Sequence, residues 1–172
     1  LYVDAISATV RHDFPAAIEP YAAIVKQSSD ADKPRALVDL GRAYEKNEDI
    51  KKAIETFTEA ANRNPQYATA FLRLGILYGR QRDLPNALSS FDKAEGIYQA
   101  LGNLEGRTEV VYQRGALFNQ LGKLSEARIQ LDQSLDLARA SDNGSQTIRT
   151  LLQLSTVAVD AGETTRATDY AR

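Results

Sequence analysis

The feature that most constrains this chain is a pattern of small and apolar residues that recurs along it. Seven such positions recur 34 residues apart between the two best-defined copies, and the later copies are 40 residues apart. These two copies are Leu37, Leu40, Gly41, Tyr44, Ala53, Phe57 and Ala60, followed by Phe71, Leu74, Gly75, Tyr78, Ala87, Phe91 and Ala94. A third copy starts at Val111 and a fourth at Leu151, and Leu1 opens a degenerate first copy. A repeat of this length indicates supersecondary units that bury their apolar faces against one another.

Each copy predicts two amphipathic helices. Leu37, Leu40 and Tyr44 fall three or four residues apart, which gives one apolar stripe along a helix. The predicted first helices lie near 1–11, 34–47, 68–81, 106–121 and 146–161, and the second helices near 14–28, 50–63, 84–101, 124–140 and 164–172. Pro20 is expected to kink or end its helix because it removes a backbone donor. The extra residues of the longer, 40-residue copies are expected to lengthen the second helices.

Two repeat slots hold residues that require a packing explanation. Gly41, Gly75 and Gly115 stand inside predicted helices, where glycine costs about 0.5–1 kcal/mol relative to alanine. We expect each to allow close contact with a small residue of the paired helix, such as Ala53. Arg114 occupies a position that is leucine in two other copies, and we expect its stem to pack while its head group reaches water, in preference to the alternative of a specific ion pair.

These residues and spacings are those by which the tetratricopeptide repeat family is recognised, and the chain resembles that family over nearly its whole length. Residues 34–67 match it fully, including the closing Pro65. The 40-residue spacing resembles the long-repeat type seen in scaffold proteins and bacterial signalling regulators. The resemblance implies an all-α fold, a right-handed α-solenoid of antiparallel helix pairs, in one domain over residues 1–172. Its units would be approximately 1–33, 34–67, 68–107, 108–147 and 148–172, and we expect a fragment of a longer protein.

Composition removes several classes of function. The 23 acidic and 21 basic residues give a net charge of −2, which argues against a nucleic-acid partner. The absence of Cys and the single His12 remove disulfides and the usual zinc ligand sets. No apolar run reaches the roughly 20 residues that span a membrane, and no nucleotide-binding or nucleophile motif occurs. We therefore predict no catalysis, no cofactor, no metal and no membrane partner, in a soluble protein whose compartment the sequence leaves open, with the cytoplasm favoured.

The resemblance also implies a binding surface, because the first helices of such repeats line a concave face. The candidate peptide-binding residues on that face are Arg35, Arg42, Leu72, Arg73, Ile76, Arg80, Tyr112, Gln113, Asn119, Arg149 and Gln153. Residues 68–82 contain three arginines and no acid. A local excess of positive charge attracts anionic groups. The predicted partner is therefore a protein or peptide with acidic or C-terminal carboxylate groups.

Two alternatives stay open on the sequence alone. The chain could be a helical tail or spacer of a larger enzyme, such as a bacterial signalling kinase, with no ligand of its own. It could also self-associate through its C-terminal end, where we expect Leu151, Leu154 and Val157 to be available to another helix.

Overall fold

The chain is helical throughout the part that the structure, a computed structural model, describes, which is residues 1–171. No strand occurs in that range. The helices are α1 (Tyr2–Val10), α2 (Phe14–Gln27), α3 (Lys33–Lys46), α4 (Ile50–Arg63), α5 (Ala68–Arg80), α6 (Leu84–Ala100), α7 (Leu104–Gln120), α8 (Leu124–Ala140), α9 (Gly144–Asp160) and α10 (Thr164–Tyr170). They divide into two compact units: the first spans Leu1–Asp83 with α1 to α5, and the second starts at Leu84 and holds α6 to α10.

Every helix predicted from the repeat is present, which confirms an all-α fold of consecutive helix pairs. The observed ends differ from the predicted ones by at most two residues. The predicted end of the last helix, at residue 172, lies outside the described residues. Within each unit every helix packs on the next one along the chain. The prediction that all the repeats form a single domain stays a prediction.

The first unit has its core between α3, α4 and α5. Phe57 of α4 and Leu77 of α5 are fully buried there. A Cβ atom built on Gly41 of α3 would lie 2.7 Å from the Phe57 ring, closer than real Cβ contacts allow. Gly41 therefore permits the close approach of α3 and α4, as predicted. The atoms nearest to that position, however, all belong to the large Phe57.

The second unit uses the same device between α7 and α8. A Cβ atom on Gly115 would lie 2.8 Å from the Leu131 side chain and 3.3 Å from the carbonyl oxygen of Ala127. Leu131 is fully buried, so its side chain has little room to move. The predicted proximity of Gly115 to Ala127 is confirmed, although the tightest contact is again with the larger residue four positions later.

The long repeats gain length in both of their helices. Helices α6, α7, α8 and α9 have 17 residues each, whereas α3 and α4 have 14 and α5 has 13. The predicted lengthening of the second helices is confirmed, and the first helices lengthen equally. Of the two effects expected of Pro20, an end to the helix does not occur, because α2 runs from Phe14 through Pro20 to Gln27, and a kink stays a prediction. Proline removes only one donor from the helix, and the remaining hydrogen bonds continue beyond it.

Tight turns of one geometry join most of the helices. Each contains a residue with φ between 51° and 75°, and these residues are His12, Glu48, Arg82, Gly102, Gly122, Asp142 and Gly162. The next amide donates to a carbonyl five residues earlier, as from Asp49 N to Tyr44 O at 3.0 Å. This is the Schellman arrangement that satisfies the last carbonyls of a helix. The Asp49 side chain then caps α4 by accepting from the Lys52 amide at 3.2 Å.

The C-terminal helices bury two of the three residues that we expected to be available for self-association. Leu154 and Val157 are 1% and 0% exposed, and Leu151 is half-buried. They pack in the core of the second unit, towards α7 and α8. The apolar residues that α9 does expose are Ile148, Leu152 and Val159. Self-association itself stays a prediction.

Candidate peptide-binding site

The first unit contains a cavity of about 340 Å³. Side chains from α1, α2, α3, α5 and the turn after α1 line it, namely Thr9, His12, Phe14, Tyr21, Asp39, Arg42, Ala43, Glu45, Lys46 and Arg73. Two of the predicted peptide-binding residues, Arg42 and Arg73, therefore meet at one place. The rings of His12 and Phe14 pack edge to face, with their centroids 5.8 Å apart. The cavity combines aromatic surface with charges of both signs.

Each arginine of the cavity has an acidic neighbour at a long distance. Arg42 Nη1 lies 3.6 Å from Asp39 Oδ1, and Arg73 Nη1 lies 3.6 Å from Glu45 Oε1. Both distances exceed the usual N–H···O range, so charge holds these pairs together without a hydrogen bond of normal length. Burial raises the pKa of the Asp39 carboxyl, against the opposing effect of Arg42 and Arg35. An anion that reached hydrogen-bonding distance would be a better partner for either guanidinium.

Three other predicted residues come together in the second unit. Arg149 of α9 lies over the Tyr112 ring of α7, with its guanidinium carbon 3.9 Å from the ring centroid. Its Nη1 and Nη2 atoms lie 2.7 and 3.3 Å from the two oxygens of Glu109. Gln113 Nε2 donates to Glu109 Oε1 at 2.7 Å. This cluster of Glu109, Tyr112, Gln113 and Arg149 is closed by its own hydrogen bonds.

The remaining predicted residues belong neither to the cavity lining nor to the cluster on α7 and α9. Arg35 is exposed in the first turn of α3, and Arg80 is exposed at the last position of α5. Leu72 is 8% exposed and offers little surface to a ligand. The side chains of Ile76, Asn119 and Gln153 are half-buried.

Arg114 corrects one expectation. Its head group is paired with other side chains and is not simply solvated: the residue is buried, and Nη2 donates to Asp92 Oδ1 at 2.8 Å. Nη1 donates to Glu95 Oε2 at 2.9 Å and to Gln130 Oε1 at 3.0 Å. The charge that replaces leucine at this position is therefore held by a specific ionic network, because α6 supplies both acids and α8 supplies the amide of Gln130.

Sequence reasoning missed the cavity residues that come from the first repeat and its turn. Phe14 and Tyr21 were overlooked because this repeat matches the pattern least well. Glu45 lies on α3 beside the predicted slots, and its side chain is only 11% exposed. The available signal was Phe14 directly after the His12-Asp13 turn and Tyr21 further along the same predicted helix.

Within residues 1–171, no group of three His, Cys, Asp or Glu side chains is placed to hold a metal ion. No helix in the same range has both the length and the apolar character needed to cross a membrane.

One sequence relative is the "Photosystem I assembly protein Ycf3" of Synechococcus sp. (strain CC9311), which is 25% identical over 104 residues. That match covers 60% of this chain and 60% of the relative. The chain thus spans about three fifths of the length of the curated relative it matches.

Solved structures share the fold at low sequence identity. BtubC (BKLC) from P. vanneervenii matches 96% of this chain and 73% of its own length, with a TM-score of 0.83 and 17% identity. A signal transduction ATPase with a tetratricopeptide repeat sensor, PH0952 from Pyrococcus horikoshii, matches 97% of this chain with a TM-score of 0.80 and 17% identity. The matched part is 27% of that larger protein.

The family assignment rests on a direct sequence match to the repeat itself. A profile described as "Tetratricopeptide repeat" matches residues 5–66 and, in an overlapping register, residues 38–102. These residues include the Gly41 and Phe57 pair that sets the spacing of α3 and α4. Because the profile covers more than half of the sequence, the chain belongs to the tetratricopeptide repeat family.

Proposed function

We propose that this chain is a non-catalytic protein-interaction module that holds a peptide or protein segment in the cavity of the first unit. The observation that carries the proposal is the convergence of Arg42, Arg73, Phe14 and Tyr21 on one cavity. Repeat proteins of this kind use surfaces made by successive helices to bind other proteins. The sequence relative is named as an assembly protein, which agrees with a role that depends on contact.

The cavity supports a short ligand segment with a carboxylate next to an apolar group. Its volume lies at the lower end of the range of about 300–1,000 Å³ that is typical of ligand pockets. A carboxylate between Arg42 and Arg73 would form shorter contacts than the 3.6 Å pairs with Asp39 and Glu45. The rings of Phe14 and Tyr21 would cover an adjacent apolar side chain.

Arg80 offers a matched control within the same group of predicted residues. It belongs to α5, as Arg73 does, but it is exposed at the end of that helix, outside the cavity lining. Exposed arginine contacts contribute about 0–1 kcal/mol, whereas truncating a desolvated one costs about 2–5 kcal/mol. The proposal therefore assigns different effects to two arginines on one helix.

The test is a binding titration of a labelled five-residue peptide that ends in phenylalanine and aspartate with a free carboxylate. A peptide that ends in phenylalanine and asparagine amide is its neutral counterpart. The wild-type chain is expected to prefer the acidic peptide. Arg73→Ala and Arg42→Ala should each weaken that binding by about tenfold or more, which corresponds to about 1.4 kcal/mol. Arg80→Ala should leave it unchanged.

Helix content measured by circular dichroism controls for unfolding of the variants. Equal affinity of the wild type for the acidic and neutral peptides would remove the anion-binding role of the cavity. Equal losses in Arg73→Ala and Arg80→Ala would move the site to the general surface of α5.

A further inference from the structure

The cluster on α7 and α9 surrounds one guanidinium group with three different kinds of partner. Glu109 presents both carboxylate oxygens to Arg149, at 2.7 and 3.3 Å. The Tyr112 ring lies under the same group at 3.9 Å. Gln113 donates to Glu109 and so fixes the orientation of the carboxylate. A planar anion, an aromatic face and an orienting amide are the elements that recognise arginine in protein complexes.

We propose that Glu109, Tyr112 and Gln113 form a binding site for a basic side chain of a partner protein, with arginine as the preferred ligand, and that Arg149 occupies this site in the free protein. The inference rests on the proposed function, since it presumes that the first helices receive a partner. It adds a second site to the cavity of the first unit, with the opposite ligand charge.

Arg149 is placed so that it can leave. Its side chain is 42% exposed and that of Glu109 is 29% exposed. Ion pairs at such exposure are weak, because water replaces the lost contacts. Arg114, in contrast, has a side chain that is only 11% exposed, and it donates to Asp92, Glu95 and Gln130. Arg114 is a structural arginine, whereas Arg149 can rotate into solvent without opening the core.

The repeat explains why the two charges lie next to each other. Glu109 and Arg149 are separated by the length of one long repeat and occupy equivalent positions of successive repeats within the second unit. Stacking places equivalent slots side by side, so the guanidinium reaches the neighbouring carboxylate from the face that the first helices share. A partner side chain approaching that face would meet the same carboxylate and ring.

Two further features favour a cationic ligand. Gln146 Oε1 accepts from Arg149 Nη1 at 3.2 Å, so a second acceptor oxygen stands beside the guanidinium position. Residues 84–172 also carry eleven acids and nine bases, so the field of this half of the chain favours positive ligands.

The experiment is an NMR titration of the full chain with an acetylated and amidated five-residue glycine peptide that has arginine at its centre. The same peptide with citrulline has nearly the same shape without the charge. Four proteins are compared, namely the wild type, Arg149→Gln, Glu109→Gln and the double variant. Backbone amides of α7 report where the peptide binds, and the helix signals report folding.

Arg149→Gln is expected to bind the arginine peptide about tenfold more tightly than the wild type if Arg149 closes the site for about nine tenths of the time, because the apparent affinity falls in proportion to the open fraction. The citrulline peptide should show no such gain. Glu109→Gln and the double variant should bind neither peptide measurably. Shift changes should centre on Glu109, Tyr112 and Gln113.

The proposal is overturned if Arg149→Gln and the wild type bind the arginine peptide equally, or if the gain persists in the double variant. Arg149→Ala serves as a second opened variant with the same expected gain. The acidic peptide of the first-unit assay separates the two proposals. If it binds and responds to Arg73→Ala while the arginine peptide shows no gain, only this inference fails. If neither peptide binds any variant, the proposed function fails as well.

Discussion

The two units build the same repeat with different local chemistry. The first unit has shorter helices, such as α3 and α4 with 14 residues each, whereas α6 to α9 of the second unit have 17 residues each. The turns of the first unit place the non-glycine residues His12, Glu48 and Arg82 at positive φ, and most turns of the second unit use glycine. Residues 1–83 carry twelve acids and twelve bases, whereas residues 84–172 carry eleven and nine.

The predicted binding residues of the two units also differ in their surroundings. In the first unit two arginines line a cavity and have acidic neighbours at 3.6 Å. In the second unit Arg149 forms contacts as short as 2.7 Å with Glu109 and covers the ring of Tyr112. One repeat pattern therefore supports an open cavity in the first unit and a cluster of mutually bonded side chains in the second. The apolar residues set the packing, and the polar slots between them are free to vary.

The largest expected effect concerns the slot that is Leu40 in the first unit and Arg114 in the second. Arg114→Leu restores the apolar residue but leaves the Glu95 carboxylate, whose side chain is 17% exposed, with only the longer contact from Arg107 at 3.3 Å. We expect a loss of about 3 kcal/mol in the stability of the second unit. Hydrogen exchange of the α7 and α8 amides measures it.

Asp92→Asn is the control for that change, because the Asp92 side chain is 72% exposed and its pair with Arg114 should contribute only about 0–1 kcal/mol. If Arg114→Leu matched the wild type in stability, the ionic network would have no structural role, and the slot would be equivalent in the two units.

The second effect concerns the glycines inside helices. Gly41→Ala places a Cβ atom against the fully buried Phe57 ring, so we expect a loss of about 1–3 kcal/mol from overpacking. Gly96→Ala in α6 has no neighbour within 4 Å in the described chain and should stabilise by about 0.5–1 kcal/mol through helix propensity. Urea unfolding of both variants compares them. The same sign of change in both would refute the packing role of Gly41.

Sequence reasoning succeeded where the repeat dictates packing. Helix positions followed from the spacing of residues such as Leu37, Leu40 and Tyr44, because a buried stripe depends only on helical geometry. It also brought Arg42 and Arg73 to candidate status, since equivalent slots share one face. It did not reveal the ionic network of Arg114, because both acids of that network lie on another helix, α6.

Side-chain pairing was the part that one sequence could not provide. Arg149 was predicted as a ligand contact, but the same slot spacing that suggested it also places Glu109 beside it. The cavity depends on Phe14 and Tyr21 in the least regular repeat, where pattern matching has the weakest signal. Whether a charged side chain at one position is free for a ligand or already paired depends on its distances to side chains of the neighbouring repeat.

A smaller effect concerns the turns. Gly122 has φ of 71°, and Gly144, at the start of α9, lies outside the left-handed region; neither has a neighbour within 4 Å in the described chain. Gly122→Ala should lose about 1 kcal/mol because L residues are strained at positive φ, whereas Gly144→Ala should lose nothing. Thermal unfolding distinguishes them.

In the first unit, Glu48→Gly should stabilise the chain by about 0.5 kcal/mol, because the relief of strain at positive φ exceeds the greater entropy of glycine in the unfolded chain.

The smallest expected effect is a difference in pH dependence between a carboxyl group of each unit. Burial raises the pKa of Asp39 above its ordinary 3.8, so the folded state binds this proton more tightly than the unfolded state. Stability should therefore fall as pH rises from below 3.8 through the folded pKa, and Asp39→Asn should remove that fall.

In the second unit, the hydrogen bond from Arg128 lowers the pKa of Glu163 below its ordinary 4.5. Its contribution is present above pH 4.5 and is lost as pH falls through the folded pKa, so Glu163→Gln should be least harmful in acid. Urea midpoints of both variants and the wild type between pH 3 and pH 7 test the pair. Relative to the wild type, Asp39→Asn should gain stability as pH rises and Glu163→Gln should lose it. Parallel trends would show that the two carboxyl groups have similar surroundings, contrary to the contrast between the units.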